Sequence, residues 1–132
     1  MNDDCEGKLH PKAAEGIRLF NAGKYFEAHE ELEAAWKEER GKVRELYQGI
    51  LEAGVTYLHI TRRNYRGATK VFGRSMKWLR HWPAFCRGVN VAQLREDLQA
   101  AIVKVEQLGE DRMLDFDLST LKPVSWEEGQ DG

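Results

Sequence analysis

The sequence has few of the residues that cross-link or interrupt a fold. Its two cysteines, Cys5 and Cys86, are too few for the disulfide framework of a small secreted domain, so a reducing, cytoplasmic compartment is expected. Cys86 is interpreted as a small packing residue. No apolar run approaches the length of a membrane span, and the acidic N-terminus lacks the hydrophobic region of a signal peptide. The composition thus indicates a globular protein that does not enter a membrane.

Acidic residues are missing from the middle of the chain. Between Ala53 and Arg95 there is no Asp or Glu, although nine Lys or Arg occur there. Residues 96–132 reverse this balance, with ten acids and three bases. The net charge is only −2, so the chain as a whole is not drawn to nucleic acid or to a membrane.

Helical spacing of apolar residues dominates a chain of 132 residues that has only three prolines. The pattern predicts an all-α, single-domain bundle of about five helices, over residues 11–21, 24–39, 42–62, 65–82 and 91–108. We expect residues 1–10 to form a flexible tail and residues 11–110 to form the bundle. Residues 111–132 lack helical periodicity and are expected to form an extended, partly disordered arm without further elements.

A weak internal repeat has a spacing of 40 residues. The segment "KYFEAHEEL" aligns with "NYRGATKVF", which places Tyr25 on Tyr65 and Ala28 on Ala68. An aromatic residue followed by a small one is typical of tetratricopeptide-like hairpins. Because a solenoid needs three or more repeats, two copies favour a compact bundle of helical hairpins.

Three segments together resemble the DUF309 family: "FNAGKYFEAHEELEAAW", "LYQGILEAGVTYLHI" and "RRNYRGATKVFGRSMKWL". The residues that carry the resemblance are Asn21, Gly23, His29, Glu33, Trp36, Gln48, Gly49, His59, Asn64, Gly67 and Ala68. One departure is Arg63, which stands where the family usually has Gly. The resemblance implies an all-α bundle of unknown function, and members are sometimes labelled predicted metal-dependent hydrolases.

Polar residues on the second and third predicted helices form the candidate site. His29 and Glu33 are four residues apart and share one face of a helix, and Glu52 and His59 share a face of the next. A short turn makes these helices antiparallel neighbours, so the two faces are expected to meet. The predicted polar cluster consists of His29, Glu33, Trp36, Gln48, Glu52 and His59.

Two functions for this cluster are weighed. In the first, it is a hydrogen-bonded network that fixes helix pairing in a non-enzymatic scaffold or interaction module, with a homo-oligomer or an acidic protein as candidate partner. In the second, His29, Glu33 and His59 bind a divalent metal ion (Zn, Fe or Mn), and Glu33 is the base of a hydrolase. The sequence does not match the H-E-x-x-H motif of zinc proteases, which favours the first.

The fourth predicted helix carries a line of basic residues at helical spacing: Arg66, Lys70, Arg74 and Lys77. Such a basic ridge, with tryptophans nearby, suits nucleic acid or an acidic partner. The competing interpretation is that acids of the second helix and the C-terminal arm neutralise the ridge. The small net charge favours this internal neutralisation.

Overall fold

The structure is a computed structural model that describes residues 3–127. Its α-helices are α1 (Pro11–Asn21), α2 (Tyr25–Glu38), α3 (Arg44–Thr61), α4 (Tyr65–Leu79) and α5 (Val91–Leu108). Two strands of two residues each, β1 (Phe85–Cys86) and β2 (Val89–Asn90), pair antiparallel between α4 and α5. The prediction of an all-α bundle of about five helices is confirmed.

The central helix of the bundle is α3. It packs against both α2 and α4, and the rings of Tyr47 and Tyr57 are fully buried. Gly49 lets α4 approach closely, because a Cβ at that position would lie only 2.7 Å from Leu79 Cδ2. The Ser75 hydroxyl on α4 donates to the Gly49 carbonyl oxygen at 2.8 Å. Close packing on both sides of α3 therefore fixes how α2 and α4 face each other.

The turns of the two helical hairpins share a left-handed residue. Gly23, between α1 and α2, has a φ of 78°, and Arg63, between α3 and α4, has a φ of 58°. These positions are 40 residues apart, the spacing of the predicted repeat. A left-handed conformation costs a residue with a side chain about 1 kcal/mol, whereas glycine adopts it freely. Arg63, the departure from the family pattern, therefore needs a compensating contact.

The two cysteines form a disulfide, with their Cα atoms 4.4 Å apart. The interpretation of Cys86 as a packing residue alone is therefore incomplete, since it is buried and also cross-linked. The bond attaches the N-terminal segment, predicted as a flexible tail, to the β1–β2 hairpin. Arg87 strengthens the attachment: its backbone N–H donates to the Cys5 carbonyl at 2.9 Å, and its guanidinium donates to the carbonyl oxygens of Asp4 and Lys8.

The C-terminal arm contains short helical turns that were not expected from its sequence. Two 3₁₀-helices occupy Glu110–Asp115 and Leu118–Thr120. Elements this short do not create a periodic apolar pattern, so sequence analysis missed them. Met113, Phe116 and Val124 are buried, so the arm packs against the bundle. The expected disorder concerns residues that include 128–132, which lie outside the described residues.

Side chains of both hairpin turns hold the arm. The Asn21 side chain donates to the Val124 carbonyl at 3.0 Å and accepts from the Val124 N–H at 2.7 Å. The Arg63 guanidinium donates to the carbonyl oxygens of Met113 at 3.2 Å and Phe116 at 2.8 Å. These bonds are the compensating contact for the left-handed backbone of Arg63.

Beyond Val124 the arm pairs with the β1–β2 hairpin. The Glu127 N–H donates to the Gly88 carbonyl, and the Asn90 N–H donates to the Ser125 carbonyl, both at 2.9 Å. Residues 5–8, 85–90 and 124–127 thus meet in one place, called here the hairpin junction. Within residues 3–127, no helix has both the length and the apolar character needed to cross a membrane.

Candidate functional site

A groove of about 490 Å³ lies between α2, α3 and α4. Each helix contributes residues spaced three or four apart, which is the spacing of a single helical face. The lining consists of His29, Glu33 and Trp36 from α2, Gln48, Leu51, Glu52 and Val55 from α3, and Val71, Arg74 and Trp78 from α4. Five of the six residues of the predicted polar cluster therefore share this groove, and Arg74 and Trp78 join them.

On the α2 side, His29 and Glu33 form a contact of 3.3 Å between Nε2 and Oε2. Glu33 also pairs with Lys37, whose ammonium lies 3.0 Å from Oε1. The Lys37 ammonium first, and His29 second, lower the pKa of Glu33. A carboxylate with a lowered pKa is a weak proton acceptor near neutral pH, and this argues against Glu33 as a general base.

Glu52 on α3 has the opposite character. It is only 9% exposed, and its Oε2 is buried without a hydrogen-bond partner. Burial raises the pKa of Glu52, whereas the charge of Arg74 and hydrogen bonds from the side chains of Gln48 and Trp78 lower it. Desolvation is the largest of these effects, so the carboxyl group is held in an environment that disfavours its charge.

Trp36, on the same side of the groove as His29, already binds a cation within the chain. The Arg44 guanidinium lies over its ring, 4.4 Å from the centroid. This is the distance range of a cation–π interaction. The indole is thus held by Arg44 while it also lines the groove.

His59 lies apart from the groove lining, beside the turn into α4. The Asn64 side-chain amide donates to His59 Nδ1 at 3.2 Å, and Asn64 Oδ1 accepts from the Gly67 N–H at 2.9 Å. Gly67 must be small here, because a Cβ would lie 2.5 Å from His59 Nδ1. Burial, and next the charge of Arg62, lower the pKa of His59, which favours the neutral ring that can accept this bond. His59 therefore contacts the start of α4 and does not line the groove.

The part of the chain that matches a known protein family includes helices that build this groove. Residues 13–71 match the family model described as "Domain of unknown function (DUF309)". This segment of the chain is similar to DUF309. It is also 32% identical over 103 residues to "Uncharacterized protein YpuF" of Bacillus subtilis (strain 168), an alignment that covers 74% of this chain and 59% of YpuF. The chain therefore spans less than two thirds of the length of that relative.

The DUF309 match extends from α1 to Val71 on α4. It therefore includes the groove residues of α2 and α3, and it stops before Arg74 and Trp78. The α3–α4 turn with His59, Asn64 and Gly67 lies inside the match, in agreement with the predicted resemblance. The hairpin junction is outside it.

The metal-ion hypothesis depends on His29, Glu33 and His59. The structure brings His29 and Glu33 together and places His59 at the α4 turn. In residues 3–127, no group of three or more His, Cys, Asp or Glu side chains is arranged to hold a metal ion. A catalytic zinc takes three protein ligands, and the two adjacent donors here do not fit that set. The proposed Zn, Fe or Mn ion stays a prediction, and no catalytic step is assigned to it.

The residues of the basic ridge on α4 lie in two different surroundings. Arg66, Lys70, Arg74 and Lys77 are all exposed. Arg66 Nε lies 3.4 Å from Glu110 Oε1, where the arm begins, whereas Arg74 lines the groove. The Arg66 pair supports the interpretation that acids of the arm offset part of the ridge, and binding of nucleic acid or an acidic protein stays a prediction.

Sequence reasoning missed two contributors to the groove, Arg74 and Trp78. Their spacing of four residues could have indicated a shared face, but Arg74 was assigned to the basic ridge and Trp78 was considered only as one of the tryptophans near it. Their relevance follows from Glu52, whose carboxyl group interacts with both. Sequence alone did not show that Glu52 is the buried member of the cluster.

Proposed function

We propose that this protein is a non-enzymatic interaction module that binds a partner in the groove between α2, α3 and α4. The observation that carries this proposal is the buried carboxyl group of Glu52. It has an unpartnered oxygen and lies on the wall of a groove that also presents Trp36 and Trp78. Buried polar atoms normally have a hydrogen-bond partner, and an exception in a concave surface is a reason to infer a ligand.

The groove has the composition of a recognition site. Leu51, Val55 and Val71 supply apolar surface, and two indoles supply large, rigid contact area. Tryptophan and arginine are enriched among the residues that contribute most to binding energy in protein interfaces. All the lining residues lie on helices, so the site is largely preformed.

The non-enzymatic part of the proposal follows from the protonation of the lining residues. Glu33 is engaged by Lys37 and His29, which lower its pKa, and the side chains that line the groove include no serine or cysteine nucleophile. Glu52 has a raised pKa but is covered from solvent on Oε2, as suits a group that is matched by a bound partner.

A fragment screen followed by NMR tests the proposal. The chain has four tryptophans, at positions 36, 78, 82 and 126, so each indole N–H gives a separate probe. With a library of cationic, anionic and neutral fragments, we expect hits to shift the signals of Trp36 and Trp78. Trp82, which is buried, and Trp126, which lies at the hairpin junction, should stay unchanged.

The matched variants are Val71→Phe, which fills the groove, and Val103→Phe on α5. Val71 lines the groove and is 7% exposed, whereas Val103 is 41% exposed and does not line it. Val71→Phe should abolish the hits and Val103→Phe should preserve them. A library that gives no groove hits, or hits that survive Val71→Phe in a folded protein, would refute the proposal.

The hydrolase alternative has one supporting contact, between His29 and Glu33 at 3.3 Å. It is tested by metal analysis of protein purified without a histidine tag, for the wild type and His29→Ala. Stoichiometric metal that is lost in His29→Ala without a change in melting temperature would favour the hydrolase. Equal, substoichiometric metal in both proteins would leave the interaction module as the better account.

A further inference from the structure

Resting on the proposed groove function, we infer that the groove binds the basic side chain of a partner protein, with its ammonium or guanidinium group against Glu52. The missing partner of Glu52 Oε2 is a hydrogen-bond donor, because a carboxylate oxygen only accepts. Gln48 and Trp78 already supply neutral donors to this carboxyl group. A cationic donor would add charge compensation that these two cannot give, and charge-assisted hydrogen bonds are the stronger kind.

The carboxyl group can reach such a ligand by a small movement. Glu52 lines the groove although its Oε2 faces away from solvent. The terminal torsion of a glutamate is broad, so a partial rotation turns Oε2 toward the groove at little cost. The unpartnered oxygen is therefore available to a donor that enters the groove.

The aromatic residues of the groove also suit a cation. The face of an indole attracts ammonium and guanidinium groups, and tryptophan is the most effective ring for this contact. Trp36 already accepts the Arg44 guanidinium at 4.4 Å, which demonstrates this chemistry on the same ring system. Trp78 stands on the opposite helix of the groove and beside Glu52.

Charge complementarity extends beyond the groove along α2 and favours a protein over a free small cation. Glu33 lines the groove beside His29, and Glu30, one turn before Glu33 on α2, is exposed. A partner segment with further basic residues would contact this acidic surface while one side chain enters the groove. Such pairing of opposite charges raises the association rate, and salt weakens this effect by screening the charges.

Arg74 is the internal competitor for Glu52, and it makes the inference testable by sign. Its positive charge lowers the pKa of Glu52, but the ion pairs of residues 3–127 do not include a contact between the two. If the groove takes a cation, removing the Arg74 charge strengthens binding. If the groove takes an anion, removing Arg74 weakens it.

The experiment titrates the full chain with N-acetyl-arginine methylamide and N-acetyl-lysine methylamide, using the Trp36 and Trp78 indole signals. N-acetyl-glutamate methylamide and N-acetyl-leucine methylamide are the anionic and neutral controls. We expect the basic probes to bind, with about tenfold weaker binding to Glu52→Gln, because one charged hydrogen bond is lost. Arg74→Gln should bind the same probes about two- to threefold more tightly, by removal of a like charge.

Matched controls are Glu96→Gln on α5 and Lys77→Gln on α4, both at exposed positions outside the groove lining. Each should leave the affinity within about twofold, a difference well below the charge effects expected in the groove. A loss of affinity in Arg74→Gln, or unchanged affinity in Glu52→Gln, would overturn the inference. If only the neutral or anionic probe binds, the cation is wrong but the groove function stands. If no probe or fragment moves the two indole signals, both fall.

Discussion

The groove and the hairpin junction satisfy their polar groups in different ways. At the hairpin junction, a disulfide, backbone hydrogen bonds and the Arg87 guanidinium join the three segments. In the groove, Glu52 keeps an unpartnered oxygen and a raised pKa. The contacts at the hairpin junction stabilise the fold, whereas the unpartnered oxygen of Glu52 can still accept a hydrogen bond from a ligand. Substitutions in the two regions should therefore have opposite consequences for stability and ligand binding.

The largest expected effect comes from opening the disulfide. Reduction should lower the free energy of unfolding by about 2–4 kcal/mol, because the bond joins residues 81 apart and restricts the unfolded chain. Urea unfolding followed by circular dichroism measures this change. The indole signals of Trp36 and Trp78 should not move, since the bond lies outside the groove.

Cys5→Ser provides the control for the disulfide, because reductant should have no further effect on this variant. Its stability should equal that of the reduced wild type. Two titratable thiols in unfolded, unreduced wild-type protein would contradict the pairing.

Asn21→Ala should have the next largest effect. It removes two hydrogen bonds to the backbone of Val124, each contributing about 0.5–1.5 kcal/mol, and should lower stability by about 1–3 kcal/mol. Hydrogen exchange should show faster opening at Val124 than in the wild type. Gln99→Ala, at an exposed position of α5, is the control. Unchanged protection at Val124 would show that Asn21 does not hold the arm.

Arg63 separates a backbone effect from a side-chain effect. Arg63→Ala loses the bonds to Met113 and Phe116 and keeps the left-handed backbone, whereas Arg63→Gly loses the bonds and relieves the backbone. The glycine variant should therefore be more stable than the alanine variant by about 1 kcal/mol. Both should be less stable than the wild type in urea unfolding. Equal stability of the two variants would argue against a strained turn.

The smallest effect on stability is expected in the groove, where the substitution should stabilise the protein instead of destabilising it. The folded pKa of Glu52 is raised above the unfolded value, so its contribution to stability is present below pH 4.5 and is lost as the pH rises through the folded pKa. Glu52→Gln should therefore be more stable than the wild type at neutral pH, by on the order of 1 kcal/mol, with the difference vanishing in acid. Glu96→Gln should show no such pH dependence. If the stability of Glu52→Gln relative to the wild type also did not change with pH, burial would not be disfavouring the charged form of Glu52.

The sequence predicted the helices well because their apolar residues repeat at local spacing. The predicted polar cluster included His29, Glu33 and Trp36 of α2 and Gln48 and Glu52 of α3, and the groove lining contains these five residues. His59 shares the face of Glu52, but it lies seven residues, or two turns, further along α3. There it contacts Asn64 and Gly67 at the start of α4. Periodicity shows which face a residue shares but not where a groove ends along that face.

Other features depend on contacts between distant residues, which spacing does not show. Cys5 and Cys86 are 81 residues apart and meet because the N-terminal segment packs against the β1–β2 hairpin. The Asn21 contact to Val124 joins residues 103 apart. The burial of Glu52 follows from the packing of α4 on α3, which places Arg74 and Trp78 beside it. Only the three-dimensional packing distinguishes this glutamate from the exposed ones on α2.

The hairpin junction also determines how the molecule would respond to mechanical load. A pulling force applied between residues 5 and 127 would pass through the disulfide to Cys86 and across the hydrogen bonds that hold Ser125 and Glu127. These bonds would open one after another, as in a zipper. The helices α1 to α4 lie within the loop closed by the disulfide, so tension would reach them only through the Asn21 and Arg63 side chains that hold the arm. The groove would keep its shape while the arm was peeled away.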